Sequence, residues 1–412
     1  MKRSDFEIMA PVGSLESLSA ALKAGADAVY FGIEGLNMRS RSSANFSADD
    51  MAEIVSICRE KGIKTYLTVN TIIYDSDVRH LDEILSKARQ AGISAIIASD
   101  IAAIERARGL GLEVHISTQC NISNYEAVKF YSRYADVMVL ARELNLQQVK
   151  EIYNRIVAEN LCGPSGNLIK LEMFCHGALC MAYSGKCYLS LHHMNSSANR
   201  GACNQVCRRG YVATDRETGE AIEVDNQYLM SPKDLKTIHF LNKMVDSGVR
   251  VFKIEGRARG PEYVAQVVEC YSEALTAICE GEFNEEKIQH WENKLKRVFN
   301  RGFWDGYYLG QRLGEWSHKY GSSATKKKVY IAKAIRYFSK LGVGEFRMES
   351  GELKPGDEVV LCGPTTGAEF FSISQLRLET DPVAEVKKGQ VFSTPVPVKC
   401  RPSDRLYLWK DV

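Results

Sequence analysis

Six times along this chain a helical stretch reaches a glycine or a comparable break and runs straight into an apolar strand: KAGADAVYFG, EKGIKTYLTVN, QAGISAIIASD, GLGLEVHISTQ, SRYADVMVLAR and DSGVRVFKIEG. A glycine at such a joint suits a helix C-cap, where a left-handed backbone is cheap without a Cβ. Near-continuous apolar strands suit a parallel sheet covered by helices. The amphipathic stretches SLESLSAALKA, DMAEIVSICRE, VRHLDEILSKARQ and LQQVKEIYNRI supply those helices. With the opening FEIMAPVG and the later LIKLEMFCHG the strands number about eight, which predicts an α/β chain built as a TIM-like (β/α)8 barrel. A doubly wound open sheet is the alternative.

The 412 residues exceed what a barrel of about 250 residues needs. After HKYGSSATKKK the texture changes to short alternating runs, VYIAKAIRYF, GEFRME, DEVVLCG, AEFFSISQLRL and DRLYLWK, separated by Gly, Pro and Asp turns. This predicts a small C-terminal antiparallel β-barrel over 322–412, following a barrel domain over 1–321. The C-terminal module carries 15 Lys and Arg against 11 Asp and Glu, a mildly basic balance. The whole chain has a net charge of only +2, so nucleic-acid binding has to be argued from local features. The start, MKRSDFEIMAPVGS, holds no apolar run of signal-peptide length, and no stretch approaches about 18 apolar residues. A cytoplasmic protein without a membrane partner is expected.

Between about 177 and 228 the helix–strand alternation stops, in GALCMAYSGKCYLSLHHMNSSANRGACNQVCRRGY. An irregular insertion of this length needs something other than a core to pin it. Of the twelve cysteines, seven are scattered singly (Cys58, Cys120, Cys162, Cys270, Cys279, Cys362, Cys400) and read as small core residues. The others crowd into this region, with the spacing Cys180-x6-Cys187-x15-Cys203-x3-Cys207. Four thiolates are what an iron–sulfur cluster requires, and its ligand spacing is looser than that of a zinc finger, in which two short pairs are usual. Structural zinc and buried or redox thiols remain alternatives. Cys175, at the end of a strand, reads as a buried small residue.

Ligands of such barrels bind at the carboxyl ends of the strands. The polar residues expected there are Asn70, Asp100, Gln119, Arg142, Glu172, His176, Lys253, Glu255 and Arg257. His176 could act as a general acid or base, or be structural. In KIEGR, Lys253 and Glu255 share a strand face and Arg257 could join them beyond its end, making a cationic site for carboxylate or phosphate, or a charge pair that caps the barrel. Arg39 and Arg41, in GLNMRSRSSANFS, and Arg208 and Arg209, after the last clustered cysteine, could likewise face an anion or simply water. His192 and His193 read as solvating the insertion. The chain contains no HExxH, GxGxxG or GxxxxGK[ST] pattern.

The stretch EMFCHGALC from Glu172 to Cys180, followed by GKCYLS from Gly185 to Ser190, resembles the signature of the collagenase-like peptidase family U-32, fixing Glu172, Phe174, Gly177, Cys180, Gly185, Cys187 and Ser190 together. PVGSLESLSAALKAGADAVYFG, YLMSPKDL, VFKIEGRARGPEYVAQVV and FNRGFWDGYYLG are similar too, so the resemblance covers nearly the whole chain. It implies an RNA-modifying enzyme of the branch that forms 5-hydroxyuridine at the wobble position of tRNA, with prephenate as the small carboxylate co-substrate and hydroxyl source. Related members hydroxylate ribosomal RNA or ubiquinone precursors, the latter with a 4Fe-4S cluster on four cysteines. Carried over, the ligands fall on Cys180, Cys187 and Cys203, with Cys207 as the nearest candidate for the fourth. On this reading Glu172 and His176 are acid/base or positioning groups. Arg39, Asn70, Gln119, Arg142, Arg209, Lys253, Glu255 and Arg257 bind substrate, with Lys253, Arg257 and Arg209 on donor carboxylates or phosphate. The C-terminal module resembles the β-barrel second domain of elongation factor Tu, which suits tRNA as a partner. A collagenase-like peptidase and a non-catalytic tRNA- or protein-binding adaptor are the rival readings.

Overall fold

The computed structural model describes residues 1–40, 45–224, 231–311, 313–317 and 321–412. Eight parallel strands, β1 Glu7–Pro11, β2 Ala28–Phe31, β3 Lys64–Val69, β4 Ala95–Ala98, β5 Glu113–Ile116, β6 Val137–Val139, β7 Lys170–Gly177 and β8 Val249–Ile254, are the eight expected from the sequence. They follow one another around a ring. It closes because β8 pairs with β1, Glu7 opposite Val251, and with β7, Phe174 opposite Lys253. The outer helices are α1 Leu15–Lys23, α2 Asp50–Glu60, α3 Val78–Ala91, α4 Ile101–Gly109, α5 Tyr125–Tyr131, α6 Leu146–Ala158, α7 Leu241–Asp246 and α8 Pro261–Glu280. The glycine joint works as its sequence demands: α3 ends on Gly92 at φ +81°, whose N–H bonds back to the carbonyls of Ala88 and Arg89 before β4 begins.

Strand alternation sorts side chains into two layers. Outward-facing residues join the helices in the main hydrophobic core, while Met9, Ala28, Tyr30, Tyr66, Ala95, Ile97, Val137 and Val251 form a separate apolar cluster. One irregularity matters for function. Lys253 and Ile254 are consecutive, but their partners on β7 are Phe174 and His176, so Cys175 is an extra residue, a β-bulge that reverses the alternation beyond it. Past the bulge, β7 also pairs antiparallel with the short strand Asp234–Lys236, which pairs in turn with Phe303–Trp304.

The C-terminal region is an eight-stranded antiparallel sheet in which the long strand Lys326–Phe338 pairs with Val343–Met348 and Arg405–Asp411. It encloses its own core, with Phe346 and Phe392 stacked at 5.6 Å. Val360, Cys362 and Trp409 leave that core and join the main one, docking the sheet on α1 and α8. Lys328 bonds Glu262 of α8 at 2.7 Å. The backbones also approach closely at Gly367, where φ is +74° and a Cβ would lie 2.8 Å from the backbone nitrogen of Ala20. Neither strain nor clash can be relieved by a side-chain rotation. Gly367→Ala should therefore destabilise the docked chain by about 1–3 kcal/mol, seen as a lower first unfolding midpoint in a denaturant series. An unchanged midpoint would contradict this docking.

Candidate functional site at the barrel mouth

The barrel axis is not filled only with the branched apolar residues usual for such an interior. Strands β1, β3, β5 and β7 contribute Glu7, Tyr66, His115 and Glu172 to it. Glu7 accepts from Tyr66 Oη and from Lys64 Nζ, both at 2.8 Å. The Tyr66 and His115 rings pack at 4.5 Å, and His115 reaches Glu113 at 3.3 Å and Glu172 at 3.9 Å. At the top of this column the Glu172 carboxylate, fully buried, bonds Lys253 Nζ at 2.8 Å, and that ammonium lies 4.8 Å from the Tyr30 ring. Glu172 Oε2 and His115 Nδ1 are both buried without a hydrogen-bond partner among the described residues.

Above the column lies a cavity of about 240 Å³ whose lining includes Tyr30, Asn70, Gln119, Phe174, Lys253 and Glu255. Glu255 is its central anion. Burial would raise this carboxyl, but Arg39, Arg257 and Arg142 hold it down at about 2, with Arg39 hydrogen-bonded at 2.8 Å. Arg257 donates to Asn37 Oδ1 at 3.1 Å and Thr68 Oγ1 at 2.8 Å, and burial lowers its own pKa. Arg142 stacks on the Phe174 ring at 3.9 Å and donates to the Ala178 carbonyl at 3.3 Å. The Nε groups of Arg142 and Arg257 are buried and without a hydrogen-bond partner among the described residues. With Lys253 already paired to Glu172, the wall combines three guanidinium groups with one carboxylate and keeps donors to spare.

The insertion roofs this cavity. Two positive-φ glycines lay it down: a Cβ on Gly185 would meet Gln119 at 2.7 Å, and one on Gly201 would meet the Asn37 carbonyl at 2.2 Å. Arg200 clamps the same segment to Asp77 at 2.6 Å. The result places Cys180, Cys187, Cys203 and Cys207 in the lining of one cavity, all as free thiols. Cys207 senses the others: burial raises its thiol, Arg208 opposes this, and Cys180, Cys203 and Cys187 raise it further. Among the described residues, no three Cys, His, Asp or Glu side chains are gathered closely enough to ligate a single metal ion. A multi-iron cluster asks for something different, since each thiolate binds its own iron around a larger body. Four soft donors around a shared space, on a segment with little regular structure, fit that requirement.

Of the residues singled out from the sequence, the structure brings Arg39, Asn70, Gln119, Arg142, Lys253, Glu255, Arg257 and the four cysteines to this cavity, with Glu172 directly beneath it. Asp100 caps α4, accepting from Ala102 N at 2.9 Å, and takes no part. His176 is not brought to the site either. The Cys175 bulge turns it out of the barrel into a box of Tyr263, Tyr271 and Phe303, and burial, then Lys236 and Arg259, push it down to about 3. An imidazole so held is neutral at physiological pH and has no access to the cavity. Cys175 itself is buried, as expected. Arg209, His192 and His193 are exposed and outside the cavity lining, while Arg208 is part of it. Arg41 lies outside the described residues. Sequence reasoning missed His115, Tyr66, Asn37, Arg259 and Arg301. His115 had a signal in EVHI, a polar residue at an inward-facing position between apolar neighbours. Arg301 had none.

The family model for peptidase family U32 matches residues 13–318. The chain belongs to this family. It is 63% identical over 407 residues to a Porphyromonas gingivalis (strain ATCC BAA-308 / W83) protein named collagenase, covering 99% of this chain and 98% of that one. It is 33% identical over 366 residues to tRNA hydroxylation protein P1 of Bacillus subtilis (strain 168), covering 87% and 83%. With the 23S rRNA 5-hydroxycytidine C2501 synthase of Escherichia coli (strain K12) it shares 35% over 316 residues, covering 75% of this chain and 46% of that one. The U32 match therefore spans the barrel from α1 onward together with its cysteine insertion, and relatives with different named activities share that frame. No helix among the described residues is long and apolar enough to cross a membrane.

Two outcomes follow from the geometry of this U32 site. Lys253→Met leaves the Glu172 carboxylate buried without its partner and should cost about 3–5 kcal/mol of stability. Adding Glu172→Gln should restore most of that, and strictly additive losses in denaturant titrations would contradict a coupled pair. Because the Glu255 carboxyl is held at about 2 against an ordinary 4.5, its contribution to stability is complete above pH 4.5 and is lost as pH falls toward 2. Glu255→Gln should flatten the acid limb of the melting-temperature profile in that window. Equal acid sensitivity in both proteins would count against the Arg39–Glu255 assignment.

Proposed function

We propose that this U32 protein is an RNA-modifying enzyme that hydroxylates the wobble uridine of tRNA to 5-hydroxyuridine. The observation that carries the reading is one cavity with two unlike walls, four thiols on the insertion and a cation-rich strand-end wall around Glu255. Cys180, Cys187, Cys203 and Cys207 would hold a 4Fe-4S cluster, which supplies redox or Lewis-acid chemistry next to the substrate. Arg142 and Arg257, with their unsatisfied Nε donors, would bind the carboxylates of a small hydroxyl donor such as prephenate, because guanidinium groups match carboxylates in bidentate geometry. Lys253 would hold or move a proton, backed by Glu172, while Tyr30, Asn70 and Gln119 position the base. The names of the relatives from Bacillus subtilis and Escherichia coli support RNA as substrate. The mildly basic C-terminal sheet would contact the tRNA body.

A second reading, hydrolysis of collagen-like chains, is favoured by the name of the Porphyromonas gingivalis relative. The geometry favours it less, because no described serine, threonine or cysteine is hydrogen-bonded to a described imidazole, the pairing a nucleophilic hydrolase uses. Mass spectrometry of tRNA nucleosides from a strain lacking the protein separates the two. Loss of 5-hydroxyuridine and its derivatives, restored by the wild-type chain but not by Arg257→Met, is expected. Unchanged hydroxyuridine, with gelatin cleavage by iron-free protein, would favour the hydrolase.

A further inference from the structure

The cavity carries a second group of cations that the reading above does not use. Arg208, Arg259 and Arg301 reach it from three separate segments: the turn after Cys207, the chain beyond β8, and the loop after the helix Glu285–Arg297. Arg259 lies with its guanidinium carbon 3.5 Å from the centre of the Phe299 ring, and Arg301 approaches the same ring at 5.0 Å. Asp234 pairs with Arg301 at 3.4 Å. Glu255 is already bonded to Arg39. Arg208 is already engaged, donating among other contacts to the Leu179 carbonyl at 2.6 Å, Ser231 Oγ at 3.0 Å and the Pro232 carbonyl at 3.2 Å.

Burial and then Arg301 lower the pKa of Arg259, so these two guanidinium groups oppose one another at the cavity. Two sheltered guanidinium groups, one of them without a side-chain hydrogen bond to the described residues, are costly side by side unless an anion completes the pair. Arg259 is the most telling member. Stacked on Phe299 it is fixed in plane, and none of its guanidinium N–H groups is hydrogen-bonded within the described protein, which leaves the planar fork that binds phosphate. The groups it senses most are Arg301, Tyr263, Asp234 and Glu255 rather than the thiols, so it is not placed as a counter-ion to the cysteines. Beside the cavity, Tyr183 is 60% and Tyr188 71% exposed, each between residues that line the cavity, where rings can stack on bases.

We propose that Arg259 and Arg301 form a phosphodiester site at the cavity, gripping the backbone of a single-stranded RNA whose unpaired base enters it, with Tyr183 and Tyr188 stacking neighbouring bases. The site rests on the RNA reading, and its test separates the two. Binding of a fluorescent single-stranded anticodon-loop RNA to the iron-loaded chain is followed by anisotropy across a salt series. Arg259→Ala and Arg301→Ala should each weaken binding about tenfold and reduce the slope of log K against log salt by about 0.7, the value for one single-strand phosphate contact. Arg259→Lys should keep the slope. Tyr188→Ala should weaken binding with the slope unchanged. Iron content and melting temperature, measured in parallel, should stay at wild-type values. Wild-type affinity and slope in both alanine variants would overturn the site and leave the RNA reading standing. Iron lost in step with affinity would also overturn it, assigning the arginines to the cysteines. Absence of RNA binding by the wild-type chain would overturn both.

Discussion

The structure is organised around a fully buried ion pair, Glu172 with Lys253, at the top of the barrel axis. Two opposite charges withdrawn from water seldom gain stability over a well-packed apolar pair, and either alone would be strongly destabilising. Both must therefore be delivered to the same point by adjacent strands, β7 and β8, whose ladder closes the ring. Closure of the barrel and assembly of the pair are the same event. Beneath it the polar column through His115, Tyr66 and Glu7 replaces the usual apolar layers on alternate strands, and above it the ammonium opens on the cavity.

That arrangement dictates how the insertion must sit. A cation-rich wall with unsatisfied guanidinium nitrogens needs a roof to exclude water before such charges gain strength. The roof is irregular backbone, pinned by Gly185 on Gln119, Gly201 on Asn37 and the Arg200–Asp77 pair, and it carries the four thiols to the cavity that Lys253 and Glu255 also line. One fold thus offers soft ligands and hard cations across a space sized for a small substrate. Relatives that match across this frame bear the names of a tRNA hydroxylation protein and of a collagenase, so the fold alone does not specify the activity.

Periodicity made the frame legible. The glycine joint before each strand and the apolar runs after them specify eight parallel strands, because cap geometry and two-sided burial are local requirements that leave a local imprint. The strand-end rule likewise brought Lys253, Glu255, Arg257, Arg142 and Asn70 together correctly. What stayed hidden depends on register or on long-range approach. A single extra residue, Cys175, reverses alternation and sends His176 into an aromatic box although it lies only four positions from Glu172. His115 meets Glu172 across 57 positions of sequence, and Arg301 meets Arg259 over the Phe299 ring from another loop. Neither pairing has a periodic signature. Asp100 shows the converse: a polar residue at a strand end can be spent on capping the next helix.

The central claim is that the four thiols facing the strand-end site hold an iron–sulfur cluster. Anaerobic purification with iron and acid-labile sulfide analysis, alongside the absorption spectrum, tests it most directly. The account predicts a brown protein with about four irons and four sulfides per chain, both lost in Cys203→Ser. A colourless protein loaded with zinc, or iron that survives that substitution, would contradict it.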